Sequence, residues 1–276
     1  MRPAAPPASP ARRAPAGIID AHCHAGPGDG FTGPGDTSAP LGRYLRRCAE
    51  AGIARSNLVA ALHSDYAVAN EEVGRILAGA PGRFYAFAFV HAERDRGRIA
   101  AMVQRAVDGL GFCGIKLHRN DARISREVCD AARRFALPVL YDPVGEVATA
   151  ELVATEYPDV DFIIPHLGSF NDDWRAQQQV VYQLARYPNL YADTSGVRRF
   201  DYIVEAIKRA GAHKILFGSD GPWIHPGVEL HKIHLLKLPP DQEALVLGGN
   251  ALRLIRRSLI PRAGHAAQSF SGASVF

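Results

Sequence analysis

Ile18-Ile19-Asp20-Ala21-His22-Cys23-His24 is an apolar run that ends in two histidines one residue apart. In a strand, residues i and i+2 face the same side, so His22 and His24 can present their imidazoles to one point while Cys23 turns away. Far downstream, Ile215-Leu216-Phe217-Gly218-Ser219-Asp220 follows the same plan, an apolar run that delivers a carboxylate at its end. Two nitrogens and one carboxylate from separate strands make a ligand set for a divalent metal that keeps an open position. A His-x-His pair alone is a weak signal, because a strand end can carry polar side chains incidentally. The rest of the chain decides its weight.

Between these two segments, short runs rich in β-formers alternate with stretches of helical period. The runs fall at 17–20, 56–62, 84–90, 112–117, 138–141, 161–165, 190–193 and 214–218. In 125–136, Val128, Ala131, Ala132 and Phe135 share one helical face; in 200–211, Ile203, Ile207 and Ala210 do the same and Gly211 makes a natural stop. A last helix over 251–258 would close the series behind an Asn250 cap. Eight strands with helices between them predict an α/β chain folded as one TIM-like (β/α)8 barrel over 16–260. The structural alternative, a doubly wound open sheet, wants a glycine-rich turn that opens a helix after an early strand. Gly26-Pro27-Gly28-Asp29-Gly30 is glycine-rich but carries Pro and Asp and opens no immediate helix. The stretch 25–40 therefore reads as a mobile loop over a site.

Hydrophobic residues at 47% and charged residues at 22% fit a globular protein with a large core. The formal charge of +4 is modest, and Arg2, Arg12 and Arg13 supply three of the positive side chains. There is no basic stripe interleaved with aromatics and no zinc-finger spacing, which argues against a nucleic-acid partner. No apolar run approaches the ~18 residues of a membrane span. Four cysteines (Cys23, Cys48, Cys113, Cys129) without a C-x-x-C pair suggest reduced thiols and a cytoplasmic setting. Residues 1–15, rich in Pro, Ala and Arg, read as a disordered arm and not a signal peptide; 261–276 read as a loose tail, whose Phe270, Val275 and Phe276 could fold back as a cap.

Barrel enzymes place their chemistry at the C-terminal ends of the strands. The polar residues of this chain fall there: His22 and His24 after strand one, His63 after strand two, and His91 after strand three. Lys116 and His118 end strand four, Asp142 strand five and His166 strand six; Ser195 follows strand seven and Asp220 ends strand eight. His213, His225, His231, His234 and His265 fall on surfaces or loops.

Five segments in order resemble the amidohydrolase-related family: Asp20-Ala21-His22-Cys23-His24, Gly114-Ile115-Lys116-Leu117-His118, Ile164-Pro165-His166-Leu167-Gly168, Phe217-Gly218-Ser219-Asp220-Gly221-Pro222-Trp223 and Gly248-Gly249-Asn250-Ala251. That branch of the amidohydrolase superfamily also contains the aminocarboxymuconate-semialdehyde and aromatic-acid decarboxylases. The resemblance implies a TIM-like barrel with one divalent metal, often zinc. It makes His22, His24 and Asp220 ligands and puts His166 beside the water or substrate. Where the family usually shows a histidine ligand after strand five, this chain has Asp142 in Pro138-Val139-Leu140-Tyr141-Asp142-Pro143. A carboxylate there could complete a two-His, two-carboxylate set that tolerates Mn²⁺ or Fe²⁺. It could equally fall short, leaving His166 to fill the position or the metal weak or absent.

In this reading Asp220 and His166 are catalytic: Asp220 moves the proton of an activated water and His166 orients it or steadies an oxyanion. Lys116, His118, His63, His91, Arg198 and Trp223 are the candidate substrate contacts. Lys116 reads as a cation facing a carboxylate or as a carbamylated metal bridge. Arg198 and Arg199 could bind an acidic substrate or sit as solvated charges opening a helix, and Trp223 could wall the pocket or pack beneath a loop. Metal-dependent hydrolysis of an amide, lactone or related bond is the leading function, on a small and anionic or carbonyl-containing substrate. Non-oxidative decarboxylation is the alternative, and a barrel turned binding protein the third reading. Oligomeric state is not legible, although surface helices of such barrels often pair into homodimers.

Overall fold

The computed structural model describes residues 17–29, 38–170 and 172–259. The arm, the tail, Phe31 and much of the 25–40 loop lie outside the described residues. Among the described residues, nine strand segments alternate with helices: β1 (Ile18–Ala25), β2 (Ile53–Ala60), β3 (Phe84–Ala86), β4 (Ala88–Phe89), β5 (Ile115–His118), β6 (Val139–Asp142), β7 (Phe162–Ile164), β8 (Leu190–Asp193) and β9 (Ile215–Leu216). Every pairing is parallel, in the order β1-β2-β3 and β4-β5-β6-β7-β8-β9.

The predicted third strand is one extended segment divided at Phe87 into β3 and β4. The chain still crosses the division in register: Phe87 N–H donates to Leu58 O (3.0 Å) and Ala88 N–H to Gly114 O (2.8 Å). A backbone bond from Ala21 N–H to Phe217 O (2.9 Å) joins β1 to the end of β9 at the other seam. With both seams bridged, the eight predicted strands form a TIM-like α/β barrel. Phe87 also explains a glycine, because a Cβ at Gly114 would lie 2.5 Å from the Phe87 ring. The strands are buried on both faces, as parallel strands under a ring of helices must be.

The helices that cover the barrel begin and end where local chemistry dictates. In α4 (Arg126–Phe135), Ser125 caps the start by accepting from Val128 N–H, and Val128, Ala131 and Ala132 form the buried face. The helix α7 (Phe200–Ala210) stops at Gly211, whose φ of 90° an L side chain rarely adopts. Asn250 departs from its predicted role. It is the first residue of α10 (Asn250–Leu259), with helical φ/ψ, and its fully buried side chain donates to Ala212 O and Ile215 O. It ties the last helix to β9 instead of capping it. All four cysteines are free and buried. Among the described residues no helix is long and apolar enough to cross a membrane.

Candidate metal centre

The strand ends converge on a cavity of about 180 Å³ at the C-terminal rim. Of the predicted site residues, His22, His24, Lys116, His118, Asp142, His166, Asp220 and Trp223 line it. Leu62, Asn120, Val144 and Phe170 complete the lining without having been singled out from sequence. His63, His91 and Arg198 are not among the lining residues. His63 Nδ1 accepts from Asp65 N–H, and His91 Nδ1 accepts from Glu93 and Arg94 N–H, so both rings close local turns. Arg198 pairs with Asp172 (2.6 Å) and borders a separate groove.

Three histidines are set in one tautomer by acceptors behind them. His22 Nδ1–H donates to Asp193 Oδ2 (3.0 Å), His24 Nδ1–H to Ala60 O (2.9 Å) and His166 Nδ1–H to Ser195 O (2.7 Å). None of these acceptors carries a proton to give, so each ring holds a proton on Nδ1, which leaves the Nε2 atoms of His22 and His24 to present lone pairs. That arrangement, with a carboxylate or carbonyl behind the ring, is how metal-binding histidines are oriented. Asp220 Oδ1 lies 3.3 Å from His24 Nε2 and 3.7 Å from His22 Nε2. His22, His24 and Asp220 therefore bring one donor atom each within 4.8 Å of one another, a spacing that suits a single divalent ion. A second grouping, His22, His166 and Asp193, involves the support side of the rings, where Ser195 Oγ also lies within 3.3 Å of both Nδ1 atoms.

Asp193 carries most of that support. Oδ2 takes His22, while Oδ1 accepts from Ser195 Oγ–H (2.6 Å), Ser195 N–H (3.0 Å) and His166 N–H (3.1 Å). One carboxylate thus aligns the His22 imidazole and anchors the backbone at His166 and Ser195. It ends an apolar strand as Asp220 does, and that rule would have found it. Backbone strain gathers here too: His166 (φ 58°) and Asp220 (φ 55°) both occupy the left-handed region, costing about 1–3 kcal/mol each. Gly218 makes room, since a Cβ there would crowd Asp193 and the His22 Cβ at 3.1 Å.

Asp142 lines the same cavity but is not one of the grouped donors His22, His24 and Asp220. Its Oδ1 accepts from Val144 N–H (2.9 Å) and its Oδ2 from His118 Nε2–H (3.2 Å), with His166 Nε2 at 3.6 Å. His118 Nδ1 accepts from Asn120 N–H, which places the ring proton on Nε2 toward Asp142. Burial works against the Asp142 carboxylate, but His118, His166 and Lys116 outweigh it and hold the group well below the usual range. Burial likewise opposes ionised Asp220, and His24, His22 and His166 hold it low. His22 is pushed down to about 4 by burial and by Lys116, against the pull of Asp193. His166 goes up, because Asp142, Asp220 and Asp193 overcome its burial. Lys116 is fully buried and shifted down by that burial, with Asp142, Asp220 and Asp193 opposing the shift. The Trp223 ring lies over His24 at 4.5 Å, and its Nε1–H reaches Ser38 O (3.3 Å).

A parallel barrel with imidazoles and carboxylates gathered at its C-terminal rim defines a TIM-barrel enzyme with a metal-type site. The chain belongs to the amidohydrolase family, whose family model matches residues 19–257. No curated protein sequence matches it. Solved structures do. The 5-carboxyvanillate decarboxylase of Sphingomonas paucimobilis superposes with a TM-score of 0.68 at 16% identity, over 87% of this chain and 98% of that one. A 2,6-dihydroxybenzoate decarboxylase in complex with 2,6-dihydroxybenzoate gives 0.70 at 18%, over 87% and 99%. A dihydroxybenzoic acid decarboxylase from Polaromonas sp. JS666, with bound manganese and the inhibitor 2-nitroresorcinol, gives 0.68 at 19%, over 87% and 97%. At these identities the likeness is one of fold.

Proposed function

We propose that this chain is a metal-dependent hydrolase that cleaves an amide, lactone or related bond of a small anionic substrate. The observation that carries the reading is the Asp220 carboxylate, held ionised beside the Nε2 atoms of His22 and His24. A divalent ion held by His22, His24 and Asp220 would lower the pKa of a water toward neutrality and polarise a carbonyl. Asp220, held ionised, accepts the proton of the attacking water and passes it to the leaving group. His166 turns Nε2 into the cavity and is biased toward its charged form, so it donates to the oxygen on which negative charge builds. Lys116, His118 and Trp223 are the proposed substrate contacts. The cavity of about 180 Å³ is below the ~300–1,000 Å³ of ordinary ligand pockets, which limits the reacting part of the substrate to about one ring.

Decarboxylation of a small carboxylic acid is the second reading, favoured by the structural neighbours named above, which are decarboxylases. In that reaction His166 supplies the proton that replaces carbon dioxide. The two separate by isotope. Hydrolysis in H₂¹⁸O places ¹⁸O in one product and releases no gas; decarboxylation releases CO₂ from a ¹³C-carboxyl substrate with no net addition of water. A panel of lactones, amides and hydroxybenzoates run both ways tests the proposal, and CO₂ release without hydrolysis of any member overturns it.

A further inference from the structure

Lys116 lies inside the ligand set. Its Nζ is 3.5 Å from His22 Nε2, the one ring nitrogen of His22 that the Asp193 bond leaves free. Three buried carboxylates, Asp142, Asp193 and Asp220, surround this region, and among the described residues that line the cavity Lys116 is the only Lys or Arg. A cluster of that sign, out of water, needs a cation close by. Lys116 answers that need, and its amine reaches the lone pair that a metal would use.

We propose that Lys116 is a resident cation that competes with the divalent ion for His22, so that the metal of this chain is held weakly and exchangeably. The proposal rests on the metal reading above and adds a direction to it. Binding of the ion requires the amine to leave His22 Nε2. In the absence of the ion, the amine keeps the rim assembled. The same displacement turns Lys116 toward the cavity, where it can meet a substrate carboxylate only once the metal is in place. The amine would thus link metal loading to recognition of an anionic substrate.

The competition has opposite signs in two measurements on the full-length, untagged protein. Lys116→Met, close to lysine in length and volume, removes the charge and leaves His22 Nε2 to the metal. Mn²⁺ affinity, read from the signal of free Mn²⁺ by electron paramagnetic resonance, should rise at least about tenfold. The metal-free variant should melt at a lower temperature than metal-free wild type, because its carboxylates have lost their counter-ion. Lys116→Arg keeps the cation and should bind Mn²⁺ no more tightly than wild type. Should Lys116→Met fail to fold, Lys116→Gln makes the same comparison. Unchanged or weaker Mn²⁺ binding in the neutral variants overturns the inference while leaving the metal reading intact; weaker binding would make Lys116 a ligand. Absence of Mn²⁺ binding in wild type and neutral variants alike overturns both.

Discussion

The His22 Nδ1–Asp193 Oδ2 hydrogen bond, at 3.0 Å, decides which face of the first-strand histidine meets the cavity. Its removal should be felt at the metal before it is felt in the fold. An asparagine at 193 can offer an amide N–H where the carboxylate accepts, which favours the wrong tautomer of His22. Asp193→Asn should weaken metal binding about 10- to 100-fold, the usual cost of losing a partner behind a ligating histidine. Titration with Mn²⁺ measures it, and far-ultraviolet circular dichroism of the same sample checks that the barrel persists.

Asp220 is assigned two tasks, and they come apart by substitution. Asp220→Asn retains an oxygen that can face an ion but cannot accept a proton. Turnover of a hydrolysed substrate should fall by about 100-fold or more. The drop should be in kcat and greater than any loss of bound metal, which a chelator-linked assay measures in parallel.

The depressed pKa of His22 makes the metal-free fold sensitive to acid. The ring titrates at about 4 in the fold against an ordinary 6.5, so as pH falls the unfolded chain takes up the proton first. Stability from this residue is complete above about pH 6.5 and is lost as pH falls through 4, an effect on the order of 3 kcal/mol. Urea denaturation of chelator-treated protein between pH 7.5 and 4 should show the loss, and His22→Asn should flatten it.

Gly114 is predicted to matter for packing rather than chemistry. Alanine there would press on the Phe87 ring where the third strand passes between its two halves. Gly114→Ala should cost about 1–3 kcal/mol of stability. Gly114→Ala combined with Phe87→Leu should recover part of it, which a thermal melt series resolves.

The barrel was legible because its strands are short apolar runs that end in polar residues, and parallel strands under helices have no other need for such endings. The same rule reached His22, His24, Lys116, His118, Asp142, His166 and Asp220, all of which the structure gathers around one cavity. It also reached His63 and His91, which end their strands but turn to cap local backbone N–H groups. Sequence position gives the end of a strand; it does not give the rotamer of the side chain there. Asp193 falls under the same rule, but as the last residue of the run 190–193 it reads as strand and not as a strand ending. Asn250 shows the opposite error, a residue at a helix start whose side chain serves the sheet. The partition of Asp142 toward His118 and His166 depends on loop backbone at Asn120 and Val144 that has no periodic signature.

The central claim is that His22, His24 and Asp220 hold one divalent ion. Elemental analysis of untagged protein, loaded with Mn²⁺ or Zn²⁺ and then dialysed, tests it most directly, with the His22→Ala, His24→Ala double variant alongside. About one ion per chain is expected in wild type and none in a double variant that is still folded. An ion retained by the double variant, or full activity in wild-type protein shown to be free of metal, would contradict it.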